Sequence, residues 1–321
     1  MRIRDILFVL LLLTSCSSHG AKEALDRAKT LLVDYPDSAL MIVDAISSED
    51  LALPSLRARH ALIKTIASDR AYFDVKSDST IRIAYDWYQN HGSDMDRLLS
   101  AYYLGIVLQN GGKDQEAAFC FLDAETFAAR EASYRYQSLC EQHLGAIYAA
   151  NYDRVRALSF AEKSYESALL AQDSLMAGFC QLDIVNQYIA DYRFDEAEVI
   201  LRQLEKANTN QSLSPFIQRA LAKTRLLKSP PDFVGARACY EIIQKDSTVS
   251  LSGRDYCYLA ILSEEKGEFN QAEAYSRKAY EMLESATDSV TFFDLTRMRL
   301  SLRGDYQGAY QALTKASDMI S

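Results

Sequence analysis

Residues 110–125, NGGKDQEAAFCFLDAE, return five more times in altered form. The later copies are ANYDRVRALSFAEKS (150–164), DYRFDEAEVILRQLE (191–205), SPPDFVGARACYEII (229–243), EKGEFNQAEAYSRKA (265–279) and LRGDYQGAYQALTKA (302–316). In every copy a turn-forming residue (Gly112, Tyr152, Tyr192, Pro231, Gly267, Gly304) stands five positions before an alanine. Those alanines are Ala117, Ala157, Ala197, Ala236, Ala272 and Ala309, spaced 40, 40, 39, 36 and 37 residues apart. Self-similarity at a fixed period of this size marks a stack of supersecondary units, each burying its apolar face against the next. Glycine (12) and proline (5) are scarce for 321 residues, so the units are long helices with short connections and not strands joined by tight turns.

Upstream of the turns, Leu104-Gly105-x2-Leu108 and Leu144-Gly145-x2-Tyr148 keep one spacing, and Ile184-Val185-x2-Tyr188 follows it more loosely. With Ala117-x3-Phe121 completing it, the phrase resembles the tetratricopeptide repeat (TPR). The resemblance implies an all-α fold, a right-handed superhelical solenoid of TPR-like hairpins. In that fold the glycine and the alanine let two helices approach closely while an aromatic ring fills the space between them. Thr224 and Arg297 replace the glycine in two copies, whose alignment rests on turn and alanine alone.

Before residue 95 the pattern is divergent but helical. Pro36-Asp37-Ser38 starts a helix with Ala39, Val43 and Ile46 on one face, and two further helical stretches flank DVKSDS at 74–79. The expected organisation is a leader at 1–15, a tether at 16–22, divergent hairpins at 23–94 and an array of about six repeats at 95–321. That makes about eight hairpins in all.

The leader has a basic start (Arg2, Arg4), then an unbroken apolar run from Ile6 to Leu13, then Leu13-Thr14-Ser15-Cys16. Eight helical residues rise roughly 12 Å, far short of the ~30 Å hydrocarbon core, so this is a signal-peptide apolar region and not a membrane span. A cysteine directly after small residues resembles the lipobox of bacterial lipoproteins. The resemblance implies an acylated Cys16 at the mature N-terminus, and several acyl chains anchor stably at about 0.8 kcal/mol per buried CH2. Ser17, in place of an aspartate, implies the outer membrane, facing the periplasm.

The formal charge is −9, which repels phosphate backbones and argues against nucleic acid as a partner. The four histidines (His19, His60, His91, His143) form no metal or hydrolase motif, and no phosphate-cradling glycine loop occurs, so neither an enzyme nor a cofactor is expected. Five cysteines follow Cys16. Cys120 and Cys239 occupy equivalent places in their repeats, as do Cys140 and Cys180, about 10 Å apart in a helix stack, so they are expected reduced and buried. Most of the 20 tyrosines fall at packing positions.

In the resembling family the first helix of each repeat lines a groove that holds the partner. Carried over by offset, the groove would be lined by Tyr102, Gln109, Asn110, Gln142, Asn186, Arg225, Lys228 and Arg254. Leu182 stands where the family's carboxylate clamp has a lysine. The segment Gln218 to Lys228, basic in an acidic chain, is expected to take an acidic or carboxylate-bearing stretch of a partner through Arg225 and Lys228. The last helix, with Leu313, Met319 and Ile320, is a second candidate contact surface. The expected function is a lipid-anchored scaffold that recruits another envelope protein or peptide. The alternatives are a periplasmic sensory partner of a membrane protein and an outer-membrane assembly lipoprotein. Self-association is left open.

Overall fold

The computed structural model describes residues 19–207, 211–283 and 286–319. The leader and Cys16 lie outside these residues, as does Ile320. The described residues hold sixteen α-helices and no strand. They are α1 (19–31), α2 (Pro36–Asp44), α3 (Pro54–Arg70), α4 (Ser79–His91), α5 (Asp94–Asn110), α6 (Asp114–Arg130), α7 (Tyr134–Ala150), α8 (Arg154–Leu170), α9 (Ser174–Ala190), α10 (Phe194–Ala207), α11 (Ser214–Leu227), α12 (Phe233–Lys245), α13 (Gly253–Glu265), α14 (Phe269–Glu281), α15 (Ala286–Arg303) and α16 (Tyr306–Asp318). None is long and apolar enough to cross a membrane.

The repeat seen in the sequence is the hairpin. Gly112, Tyr152, Tyr192, Pro231, Gly267 and Gly304 all fall between an odd-numbered helix and the even-numbered helix after it. Five of these turns share one geometry. The turn residue has a positive φ of 58° to 79°, and its N–H donates to the carbonyl three residues back (Gly112 to Gln109, 2.9 Å; Gly267 to Glu264, 3.0 Å). The next N–H donates to the carbonyl five residues back (Lys113 to Leu108, 2.9 Å; Asp153 to Tyr148, 2.9 Å). This Schellman closure satisfies the free carbonyls of the first helix and needs the left-handed conformation, which glycine adopts without strain and Tyr152 and Tyr192 do not. The six repeat alanines, in the even-numbered helices, are fully buried or nearly so, at 0% exposure for five and 5% for Ala309.

The chain divides into two compact units, Met1–Cys180 and Gln181–Ser321, with the division inside α9 and no break at residue 95. In the first unit one apolar core runs from Leu25 to Ile147, so the divergent hairpins and the regular repeats share it. Phe121 lies at its centre, completely buried, stacked on His143 with ring centroids 4.6 Å apart. The five cysteines after Cys16 are free and buried. Cys180 Sγ sits 3.0 Å from Ser164 Oγ and 3.4 Å from Gln142 Nε2.

The two repeat glycines differ. A Cβ on Gly105 would stand 2.7 Å from Cε1 of the immobilised Phe121 ring, whereas on Gly145 it would meet nothing nearer than 3.5 Å. Gly105→Ala is therefore expected to cost about 1–3 kcal/mol through overpacking. Gly145→Ala should be neutral or gain up to about 1 kcal/mol of helix propensity. Urea denaturation of the two variants checks this, and equal losses would refute the packing account. Glu141 on α7 is 5% exposed and its Oε2 has no hydrogen-bond partner. Burial pushes its carboxyl up to about 7, with a hydrogen bond from Ser167 pulling the other way. A raised folded-state pKa means that stability declines as pH rises from about 4.5 through 7. Glu141→Gln should flatten that decline and leave the protein more stable at pH 8, by on the order of 1–3 kcal/mol.

Candidate functional site

The second unit contains an open groove of about 590 Å³, within the range of about 300–1,000 Å³ for ligand sites. Three odd-numbered helices, α9, α11 and α13, and the start of α15 supply its walls. On α11, Phe216, Arg219, Ala220 and Lys223 line it at a spacing of three and four, one face of a helix. Asn186 enters from α9 and Arg254 from the first turn of α13, so two of the side chains expected in a groove do meet in one. Leu182, Phe292 and Met282 make it apolar beside the charges.

The electrostatics are lopsided. Arg219 is tied down, its Nε 3.0 Å from Asp255 Oδ2 and its Nη2 donating to the Ser250 carbonyl at 2.8 Å. Asp255 is itself saturated. It accepts from the Tyr240 hydroxyl at 3.1 Å and closes a capping box with Ser252, whose N–H and hydroxyl donate to it at 2.8 Å each. Lys223 and Arg254 have no such partner. Burial, and after it the guanidinium of Arg254, pull the Lys223 ammonium down to about 8.

Arg225 and Lys228 are not in the groove, which corrects the expectation. Arg225 Nη1 donates to the Gly235 carbonyl (3.0 Å) and to Cys239 Sγ (3.1 Å), with its Nε 3.6 Å from Glu198. Lys228 Nζ lies 3.4 Å from the other oxygen of Glu198. The physical reason is the length of a loop. Five residues, 228–232 with the Ser229-Pro230-Pro231 run, separate α11 from α12, where three separate α5 from α6, α7 from α8 and α9 from α10. Offsets counted back across that loop fall two residues short, and two residues turn a helix by about 200°. Lys223 is thus the counterpart of Asn186. The proline pair was the signal that would have located it.

In the first unit the expected groove residues are engaged internally. Tyr102 is 6% exposed, ringed edge-on by Tyr103, Phe121 and Tyr136, so it offers a partner no surface. The His143 Nδ1–H donates to Gln109 Oε1 at 2.8 Å, and the Tyr102 hydroxyl reaches His143 Nε2 at 3.4 Å. Burial pushes the imidazole down to about 4, so it stays neutral. Asn110 Nδ2 donates to the Val75 carbonyl at 3.5 Å, and Gln142 contacts Cys180. His60 Nε2 faces the Val43 carbonyl at 3.1 Å. Among the described residues no cluster of His, Cys, Asp and Glu is placed to hold a metal ion. Leu313 and Met319 of the last hairpin are exposed.

No family model matches the chain, and no curated protein matches it. Its fold is similar to that of three solved structures. The apo form of the quorum sensor NprR from B. thuringiensis aligns with a TM-score of 0.63 at 13% identity, over 94% of this chain and 99% of that one. The apo form of RapI aligns with a TM-score of 0.59 at 10% identity, over 82% and 97%. NprR in complex with its cognate peptide NprX aligns with a TM-score of 0.57 at 15% identity, over 91% and 88%. The fold is a TPR-like helical repeat.

Arg225→Ala removes the hydrogen bonds to the Gly235 carbonyl and Cys239, while Glu198 keeps Arg202 at 2.8 Å and Lys228 at 3.4 Å. The substitution is expected to lower stability by about 1–2 kcal/mol. Lys228→Ala should cost less than about 1 kcal/mol. Both should leave partner capture unchanged, read as urea midpoints beside a pull-down. Capture lost without a loss of stability would return these residues to the binding surface.

Proposed function

We propose that this chain is a membrane-tethered helical-repeat adaptor of the bacterial envelope. Cys16 carries the lipid anchor, the body faces the periplasm from the outer membrane, and the groove of the second unit holds a peptide segment of another envelope protein. The observation that carries the reading is the pair Lys223 and Arg254, two cations lining an open, partly apolar groove and, among the described residues, without an ion-pair partner. Structures of proteins with this function need no catalytic constellation, and the polar groups of the first unit are committed to its own core. The tether rests on the leader pattern and on Cys16 following Leu13-Thr14-Ser15.

A second reading takes its support from the fold neighbour NprR, a quorum sensor solved with a cognate peptide. Here the groove would receive a free peptide, and the chain would pass the signal to a membrane partner. Affinity capture of the lipidated full-length chain from cross-linked envelopes tests both, with Cys16→Ala beside it. One stoichiometric envelope protein, lost when the anchor is removed, is the expected result. Recovery of the chain alone would overturn the adaptor reading.

A further inference from the structure

We propose that Lys223 and Arg254 form a subsite for the side-chain carboxylate of an Asp or Glu in the bound peptide, with a large apolar residue beside that acid seated against Phe216. The inference rests on the reading that the groove holds a peptide, and it names the chemistry the peptide must carry.

Three observations lead to it. First, the groove keeps two like charges facing each other's field. The Arg254 guanidinium acts unfavourably on the Lys223 ammonium. Like charges left unneutralised in a partly buried place weaken the fold, and an arriving anion removes that cost while gaining two charge-assisted hydrogen bonds. Second, the groove's other charges cannot serve. Arg219 and Asp255 neutralise one another at 3.0 Å, and Asp255 is held further by Tyr240 and Ser252. Lys223 and Arg254 enter from α11 and α13, so the acid is seated on that side of the groove. Cys257, also on the wall, is a thiol pushed up to about 12 by burial and is neutral.

Third, the walls next to the cations are aromatic and aliphatic. Phe216 is 45% exposed and offers an aromatic face, whereas Phe292, packed edge-on against Tyr280 (5.6 Å) and Phe293 (5.3 Å), is buried in the wall. An inorganic anion would satisfy the charges and leave the Phe216 ring wet. A peptide acid with an apolar neighbour covers both.

The site also has a direction in pH. A bound carboxylate favours the ammonium form of Lys223, so affinity falls as pH rises past about 8.

The experiment is selection of a random hexapeptide display library on the lipidated full-length chain in detergent. Recovered sequences should carry Asp or Glu next to Leu, Phe, Tyr or Trp. The best of them, made synthetically, should weaken roughly tenfold when its acid becomes the amide, and by a similar factor against Lys223→Gln or Arg254→Gln. Lys223→Arg should bind normally at pH 7 and should not share the several-fold loss of the wild type between pH 7 and 9.5. Unchanged circular dichroism and melting temperature establish that each variant is folded. Recovered sequences without acids, undiminished binding to Lys223→Gln, or displacement by inorganic phosphate as effective as by the peptide would overturn the subsite and leave the peptide groove standing. An absence of any enrichment would overturn the peptide groove itself, and the subsite with it.

Discussion

Everything in this fold depends on how closely two antiparallel helices can approach at one point. The even-numbered helix of each hairpin presents an alanine there, and five of the six such methyl groups have no exposed surface. A larger side chain would push the helices apart by the width of the added carbons, and a densely packed interior absorbs such a shift only by straining its neighbours. In the α5–α6 hairpin the approach is closer still, because Gly105 lets the Phe121 ring lie against the helix backbone. The turn has to deliver the second helix to this contact within about three residues, and the recurring left-handed residue with its two backbone hydrogen bonds does so.

The α11–α12 hairpin departs from the rule, and the candidate site is found on it. Its longer loop moves the register of α11 by two residues, so that Phe216, Arg219 and Lys223 face the groove while Arg225 faces α10 and α12. One basic helix is thereby split into two functions. Arg225 and Lys228 hold Glu198 and stabilise the hairpin, and Lys223 is left in the groove with Arg254. The other deeply buried charges of this unit are matched. Glu264, for example, is fully enclosed between Arg299 at 3.3 Å and Arg303 at 3.0 Å. Lys223, partly buried, and Arg254, exposed, have no such match among the described residues.

The first unit spends comparable residue types differently. Tyr102, Gln109 and His143 come from two hairpins and form one network, and burial keeps the imidazole neutral so that it can donate to the amide and accept from the phenol. A network of this kind ties successive hairpins together and engages the phenol, the imidazole and the amide oxygen within the unit. In a sequence, polar residues on the first helix of a repeat look alike whether they face a groove or the next helix. The distinction is made by whichever neighbour reaches them first.

The sequence alone determined the helical class, the hairpin as the repeating unit, the place of six turns and the six alanines. These features follow from local periodicity and from backbone conformation, which residues report directly. Asn186 and Arg254, reached by offset in the sequence, do line the groove of the second unit. The tertiary structure decided which cations are free. Whether Lys223 or Arg225 faces the groove depends on a two-residue difference in a loop, amplified to half a turn by the helix. Whether a buried charge has a partner depends on side chains some thirty residues away, as with Glu198 and Lys228. The division into two units within α9, too, is set by contact density across the chain and leaves no mark on the repeat pattern.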